Sequence, residues 1–161
     1  MGTEIERKFL LASDEWRGLG EGKPYCQGYI CSGDRTTVRI RTVEDKGFLT
    51  VKGPTMDLVR AEFEYQIPYD DALEMLATLC TQPLVEKIRY IISFAESTWE
   101  IDEFKGANEG LIVAEIELEY PQQKFVMPPW IGQEVSDDPR YRNANLVRTP
   151  YCMWGQHSKG R

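Results

Sequence analysis

The chain has 161 residues, of which 42% are hydrophobic and 28% are charged, and its formal net charge is −7; such values are typical of one globular domain, which we expect to span residues 1–161. An acidic chain is a poor candidate for non-specific nucleic-acid binding, and no apolar run approaches the ~18 residues of a membrane-spanning helix. Because charge begins at position 4, we expect no secretory signal, and therefore a cytoplasmic protein that binds neither nucleic acid nor a membrane.

The sequence predicts eight β-strands, because eight segments alternate apolar and polar side chains with a period of two. They span residues 3–11, 25–31, 36–43, 48–52, 58–67, 85–94, 98–104 and 111–120. Short turns rich in Gly, Asp and Pro separate most of them, which favours hairpin connections. Eight antiparallel strands can close into a barrel.

Helical signals are few and short. The clearest predicted helix spans about residues 70–79, with Asp70 as its cap. A shorter helix is predicted over residues 13–20, with Ser13 as its cap. A C-terminal helix is predicted from about residue 137, with Pro139 in its first turn.

The polar face of nearly every predicted strand carries charged side chains. On the first strand, Glu4, Glu6 and Lys8 share one face. Like charges then segregate by strand, as Arg39 with Arg41, Lys87 with Arg89, and Glu115 with Glu117. A single charged strand face is usually solvated, and each pair alone fits that interpretation. The barrel is therefore either charged outside, or inside-out, with a charged lumen and an apolar outer wall covered by helices and loops.

Segregation by sign favours a binding site, since a stabilising surface would interleave the two signs. Basic walls suit an anion and acidic walls suit a cation, and a polyphosphate with a divalent metal provides both. Arginine forks match phosphate oxygens, and paired carboxylates suit Mg²⁺ or Mn²⁺. The cysteines form no CxxC pair, which favours free thiols in a reducing cytoplasm. His157 is the only histidine, so catalysis must use carboxylates, lysine, arginine, tyrosine or bound metal.

In this order, the charged motifs resemble those of the CYTH superfamily, also called the triphosphate tunnel metalloenzymes. The first-strand signature ExExK is present as Glu4, Glu6 and Lys8. The match continues along nearly the whole chain, through residues 27–29, 38–41, 49–53, 60–64, 86–90, 99–102, 114–118, 134–137 and 140–143. The chain looks most like the small bacterial members that hydrolyse inorganic triphosphate.

The resemblance implies a mainly β (α+β) fold, an eight-stranded antiparallel closed β-barrel or tunnel with a charged lumen and a few flanking helices. It implies that seven basic residues bind the triphosphate: Lys8, Arg39, Arg41, Lys52, Arg60, Lys87 and Arg89. It implies a Mg²⁺ or Mn²⁺ site at Glu4, Glu6, Glu115 and Glu117, with Asp102 as a further candidate. Glu62 and Glu64 would orient the basic residues or help to hold a second metal. Residues 140–143 would plug or line one mouth of the tunnel.

The expected reaction is hydrolysis of a terminal phosphoanhydride bond. Lys87 is the candidate for activating the attacking water, paired with Tyr29, because a lysine among arginines should have a lowered pKa. Alternatives on the same fold are a class IV adenylate cyclase and a thiamine or nucleoside triphosphatase. A non-catalytic polyphosphate-binding module is a further alternative, although it would not need the full carboxylate set. The sequence leaves the oligomeric state open, a homodimer included.

Overall fold

The computed structural model describes residues 2–33 and 35–155, so that His157 and Asp34, which was predicted to lie in a turn, fall outside the described residues. Nine strands are described: β1 (Gly2–Leu11), β2 (Gly22–Ser32), β3 (Thr37–Val43), β4 (Lys46–Lys52), β5 (Val59–Ile67), β6 (Val85–Phe94), β7 (Ser97–Phe104), β8 (Ile112–Glu117) and β9 (Ile131–Glu134). The described α-helices are α1 (Tyr69–Thr78) and α2 (Asn143–Arg148). Neither helix is long and apolar enough to cross a membrane.

Eight of the strands close into an antiparallel barrel. Their order around the ring is β5-β4-β3-β2-β6-β7-β8-β1, and β1 then pairs with β5 through registers such as Glu4 with Arg60. The short strand β9 pairs with the far end of β1, beside Phe9 and Leu11, and lies outside the ring. The predicted eight-stranded antiparallel barrel is therefore confirmed, with one added strand.

The barrel is inside-out. On β1, Glu4 and Lys8 line the interior cavity, whereas Ile5 and Phe9 point to the other face and are only 7% and 1% exposed. These two side chains belong to an apolar cluster that includes Trp16 and lies against the outer wall of the barrel. The alternation of each strand thus places charge in the lumen and the main apolar core outside it.

Helix α1 covers another part of the outer wall. Ala72, Leu76 and Cys80 pack against Ile40 of β3 in a second buried cluster. The helix approaches β4 so closely that a Cβ atom on Gly47 would lie 2.6 Å from the Ala72 Cβ. Only glycine fits at this position without displacing the helix.

One end of the lumen is closed by apolar side chains. At this end, the lumen-facing side chains of the strands are apolar or aromatic instead of charged. They are Tyr29, Val85, Phe104 and Val113, and they cluster with side chains of the C-terminal segment. We use this name for residues 135–154, whose buried members include Tyr141, Leu146, Val147 and Trp154. The C-terminal segment therefore seals this end, and the charged part of the lumen lies beyond it.

Three local predictions were wrong. Residues 13–20 form turns and not a helix, with hydrogen bonds such as Leu19 N to Trp16 O, because the segment must fold tightly to bury Trp16. Pro68 precedes the first residue of α1, and Asp70 lies in the first turn without a capping hydrogen bond. The predicted C-terminal helix is divided into a single 3₁₀ turn at Pro139–Tyr141 and the separate helix α2.

Candidate active site in the barrel tunnel

The lumen is a cavity of about 460 Å³. All seven basic residues predicted from the sequence line it, together with Tyr29 and six predicted carboxylates: Glu4, Glu6, Glu62, Glu64, Glu115 and Glu117. The remaining predicted residue, Asp102, is 0% exposed and lies behind this lining. Five strands contribute the cations, so the site exists only when the barrel is closed.

Asp102 holds two of the tunnel cations in place. Its Oδ1 accepts a hydrogen bond from Arg89 Nε at 2.7 Å, and its Oδ2 accepts from Arg89 Nη2 at 2.8 Å. Lys87 Nζ lies 2.8 Å from the same Oδ2. Burial would raise the pKa of Asp102, but Arg89 and Lys87 outweigh burial and hold the pKa well below its usual range. Asp102 is therefore a charged support for both cations.

Lys87 is buried and closely surrounded. Its ammonium group donates to Asn143 Oδ1 at 3.0 Å as well as meeting Asp102. Burial lowers its pKa, Asp102 opposes this decrease and Arg89 adds to it, and the resulting pKa is about 7. The lowered pKa expected from the sequence is thus found, but burial and not the neighbouring arginine is its main cause.

Glu64 contacts both arginines of β3, Arg39 and Arg41. Its Oε2 lies 3.3 Å from an Nη2 atom of both Arg39 and Arg41, and it accepts from Thr50 Oγ1 at 2.9 Å. The Nε atoms of both arginines are buried and find no hydrogen-bond partner among the described residues. Burial, together with repulsion from Arg39 and Arg89, lowers the pKa of Arg41 to about 10. Arg39 and Arg41 therefore each have an Nε–H donor without an acceptor in the described part of the chain, and the positive charges of Arg39, Arg41 and Arg89 repel one another.

The lysines on β1 and β4 are held differently. Lys52 Nζ lies 2.9 and 3.1 Å from the two carboxylate oxygens of Glu4. Lys8 Nζ donates to the Tyr141 carbonyl at 3.1 Å and has Glu115 and Glu6 only at 3.9 and 4.0 Å. Burial would lower the pKa of Lys8, but these two glutamates outweigh it and raise the pKa.

Carboxylates gather where β1 meets β8. Glu6 is the register partner of Glu117, and Lys8 is that of Glu115. Burial and the nearby Glu6 raise the pKa of Glu115, and burial and the nearby Glu4 raise that of Glu117. This is the electrostatic situation that a divalent cation relieves, because it favours the charged form of each carboxylate.

The donor set fits a hard divalent metal that shares its ligands with phosphate. Within residues 2–33 and 35–155, no three Asp, Glu, His or Cys side chains converge as a ready-made metal cage. Mg²⁺ in phosphate-handling sites is usually bound by one or two carboxylates and by phosphate and water oxygens. The adjacent Glu6 and Glu117 satisfy that requirement.

Sequence reasoning gave no role to Glu100, which the structure places at the site. Glu100 lines the tunnel, is the register partner of Glu115 and lies 3.3 Å from Arg89. Its alternation with Trp99 was a usable signal, since it shares a strand face with Asp102. Asn143 and Arg142 also line the tunnel. They belong to residues 140–143, which the resemblance placed at one mouth of the tunnel, but no periodic pattern marks them.

Comparison with known proteins agrees with this architecture. A family model described as the CYTH domain matches residues 2–151. An inorganic triphosphatase of Acetivibrio thermocellus is 50% identical over 151 residues, which cover 94% of this chain and 97% of that protein. An inorganic triphosphatase of Nitrosomonas europaea is 37% identical over 149 residues, which cover 90% of this chain and 97% of that protein.

Solved structures share the fold. A crystal structure described as an inorganic triphosphatase has a TM-score of 0.65 and 35% identity, over 91% of this chain and 95% of that chain. A protein from Pyrococcus horikoshii has a TM-score of 0.57 at 21% identity, over 73% of this chain and 80% of its own, and shows the fold alone. Because the family model spans nearly the whole chain and relatives of this identity match almost end to end, the chain belongs to the CYTH domain family.

Proposed function

We propose that this chain is an inorganic triphosphatase, a hydrolase that cleaves triphosphate to pyrophosphate and phosphate inside its tunnel. The observation that carries the proposal is the single cavity into which seven cations from five strands project. An anion with several closely spaced charges is the ligand that such a wall suits best. The two relatives most similar in sequence among those described above carry the same activity in their names.

The basic wall would bind the triphosphate. The unpaired Nε donors of Arg39 and Arg41 support this role, because a phosphate oxygen would give them the acceptor they lack. Lys8, Lys52, Arg60 and Arg89 would complete the wall. These groups would also stabilise the charge that develops during transfer, where most phosphoryl-transfer catalysis lies.

The metal site is proposed at Glu4, Glu6, Glu115 and Glu117, which would hold Mg²⁺ or Mn²⁺. A bound metal of this kind supplies charge neutralisation and orientation for the phosphate oxygens. Asp102 remains a predicted ligand that a metal would reach only after Lys87 or Arg89 released one of its oxygens. Glu62 lies 3.5 Å from Lys52, and Glu64 contacts both β3 arginines, which supports the orienting role predicted for this pair.

Lys87 is the proposed acceptor of the proton from the attacking water. Its pKa of about 7 supports this role, because an appreciable fraction of the amine is neutral near neutral pH. Asp102 and Asn143 fix the direction of its side chain. Tyr29, which also lines the cavity, is proposed to contact the phosphate beside it.

The test is phosphate release from inorganic triphosphate, ATP and thiamine triphosphate, each with and without Mg²⁺. We expect metal-dependent release that is fastest from inorganic triphosphate. Two neighbouring residues of β1 provide matched variants, since Lys8 faces the cavity and Arg7 faces outward, where it pairs with Glu134 at 2.6 Å. Lys8→Met should lose most of the activity, and Arg7→Met should keep it. Cyclic AMP as the main product from ATP, with triphosphate left intact, would instead support the cyclase.

The remaining proposals concern the molecule as a whole. We propose that residues 1–161 form one CYTH domain, which the single sheet of nine described strands supports. A cytoplasmic location is supported by the four free cysteines, since a reducing compartment keeps thiols in this form. The proposed partner is the small-molecule triphosphate, without nucleic acid or membrane, and a homodimer is the assembly to test by light scattering.

A further inference from the structure

A chain of hydrogen bonds joins Lys87 to Tyr29 through two amide side chains. Lys87 Nζ donates to Asn143 Oδ1 at 3.0 Å. Gln27 Nε2 donates to the same Oδ1 at 3.2 Å and to the Tyr29 hydroxyl at 2.9 Å. Gln27 is 0% exposed and Lys87 is 2% exposed, so the chain is shielded from water along most of its length.

The direction of every bond in this chain follows from its lysine end. A lysine ammonium group has only donors, and the neutral amine that accepts a proton from water still has two N–H donors, so Asn143 turns its oxygen toward Lys87 in both states. Gln27 must then present its NH₂ group to that oxygen, because two amide oxygens would repel each other. The same NH₂ group faces Tyr29, whose oxygen therefore accepts. The hydroxyl hydrogen of Tyr29 is left free.

This arrangement leaves one buried polar atom of Gln27 without a hydrogen bond in the part of the chain that the structure describes. Its Oε1 atom is buried and has no hydrogen-bond partner among the described residues. Turning the amide over would bring that oxygen to the Tyr29 hydroxyl and satisfy it. It would also place Oε1 against the oxygen of Asn143, which Lys87 holds in place. The unpaired oxygen is therefore the cost of a polarity that begins at the lysine end of the chain.

The free hydrogen of Tyr29 is placed to meet an anion. Tyr29 lines the tunnel and lies within electrostatic reach of Lys8 and Arg60, two of the cations that would bind the triphosphate. Its hydroxyl donates to no other described residue. A phosphoryl oxygen in the cavity is the acceptor that this donor lacks.

We infer that Gln27 and Asn143 are positioning residues that make Tyr29 a hydrogen-bond donor to the triphosphate and keep Lys87 aligned beside it. The inference rests on the proposed triphosphatase function and deepens it. Asn143 is the first residue of α2, so this alignment depends on the C-terminal segment. The segment therefore contributes to the chemistry in addition to closing one end of the lumen.

The first test reverses the polarity of the chain without changing its shape. In Gln27→Glu the new carboxylate has only acceptors, so Tyr29 must donate to it and loses its hydrogen for phosphate. We expect Gln27→Glu and Tyr29→Phe each to lower kcat/KM for triphosphate about tenfold, the effect of losing one hydrogen bond to a charged group. The loss of kcat/KM in the double variant should be no larger than the loss in the more affected single variant. Losses that multiply in the double variant would contradict the inference.

The second test uses Asn143, which is only partly buried and therefore tolerates substitution. Asn143→Asp keeps an oxygen for Lys87 and Gln27, whereas Asn143→Ala removes it. We expect Asn143→Ala to lower kcat more than it raises KM. Asn143→Asp should restore kcat in part and mainly at higher pH, because its carboxylate raises the pKa of Lys87. Equal losses in both variants would show a merely structural role and overturn the inference, even if Gln27→Glu fails to fold.

Triphosphate binding provides a readout that does not depend on turnover. Calorimetry without divalent metal should show that Tyr29→Phe and Gln27→Glu both weaken triphosphate binding, with Arg7→Met as the unchanged control. Gln27→Glu should weaken binding at least as much as Tyr29→Phe, because its carboxylate also repels the anion. Unchanged binding in either variant would contradict the inference. An inactive wild-type protein would overturn the proposed function and this inference together, whereas an active wild-type protein with multiplying losses would overturn the inference alone.

Discussion

At the scale of single residues, Lys87 is distinguished from the other tunnel cations by what surrounds it. It is 2% exposed, and both a carboxylate and an amide oxygen accept from it. The neighbouring Arg89 shares Asp102, but its guanidinium stays protonated in proteins and cannot take up a further proton. Of this pair, only Lys87 can change its charge near neutral pH.

Substitution of Lys87 tests the water-activating role. Lys87→Ala should lower kcat by about 10²–10⁴-fold, the usual contribution of a general base, with a smaller change in KM. Lys87→Arg should not restore kcat, because arginine keeps the positive charge but cannot accept a proton. Steady-state kinetics on triphosphate provides both constants, and Lys23→Ala, on the exposed start of β2, is the control. An unchanged kcat in Lys87→Ala would remove this lysine from the role.

Glu117→Gln should separate stability from function. The pKa of Glu117 is raised by burial and by Glu4 and Glu62, so its ionised form is disfavoured in the folded protein. Removing its charge should leave Tm unchanged or slightly higher. The same change removes a proposed metal ligand, so activity at limiting Mg²⁺ should fall and recover partly at high Mg²⁺. A lower Tm with unchanged metal dependence would contradict the proposed ligand.

Residue patterns identified the tunnel cations and the carboxylates beside them, but not the contact between Asn143 and Lys87. Arg39 with Arg41 and Lys87 with Arg89 were found because two like charges at i and i+2 mark one strand face. Asn143 is a single neutral side chain, and its contact with Lys87 spans 56 positions of sequence. Nothing local in the sequence encodes that distance, because it depends on how the C-terminal segment docks.

At the scale of elements, strand alternation was a reliable guide and short irregular segments were not. The predicted strand at residues 85–94 matches β6 (Val85–Phe94), where Lys87 and Arg89 alternate with Ile88 and Tyr90. Strand β9 was missed because its four residues are too few to establish a period, and Pro128 and Pro129 precede it. Its pairing depends on the edge of β1 that is left open beyond β5, opposite the edge that pairs with β8, and this is a tertiary feature.

The C-terminal segment should couple stability to activity. Leu146 of α2 is 0% exposed in the cluster that closes the lumen, so Leu146→Ala should cost about 2–5 kcal/mol. At ~2–4 °C per kcal/mol this corresponds to a decrease in Tm of about 4–20 °C. Activity at 25 °C should also fall, because Asn143 lies one turn earlier in the same helix.

A leucine at the C-terminal end of the other α-helix is the matched control for this prediction. Leu79, just after α1, is 57% exposed, and Leu79→Ala should change stability by no more than about 0.5 kcal/mol. Thermal melts and phosphate release measure both proteins. A Leu146→Ala protein with the expected Tm but full activity below that temperature would show that the segment only supports the fold.

At the scale of the whole molecule, the inside-out barrel exchanges the usual positions of core and surface. The main apolar clusters lie between the outer wall and the covering segments, while ionic groups fill the lumen. The cations there are paired unevenly: Arg89 meets Asp102 at 2.7 Å, but Lys8 reaches its glutamates only at 3.9 and 4.0 Å. Repulsion among close like charges in a partly dry space is far stronger than on a surface.

Triphosphate should therefore stabilise the molecule well beyond the effect of a simple anion. A ligand that binds only the folded state at about 100 times its Kd adds ~2.7 kcal/mol of stability. For a domain of this size, at ~2–4 °C per kcal/mol, Tm should rise by about 6–10 °C. The measurement is a thermal melt with triphosphate and Ca²⁺, chosen to limit turnover, against single phosphate at equal ionic strength. Arg41→Gln should reduce the shift, because the lowered pKa of Arg41 reflects burial and repulsion from Arg39 and Arg89 that the ligand would relieve. Equal small shifts from the two anions would contradict the proposal that the tunnel gathers its seven cations around one ligand.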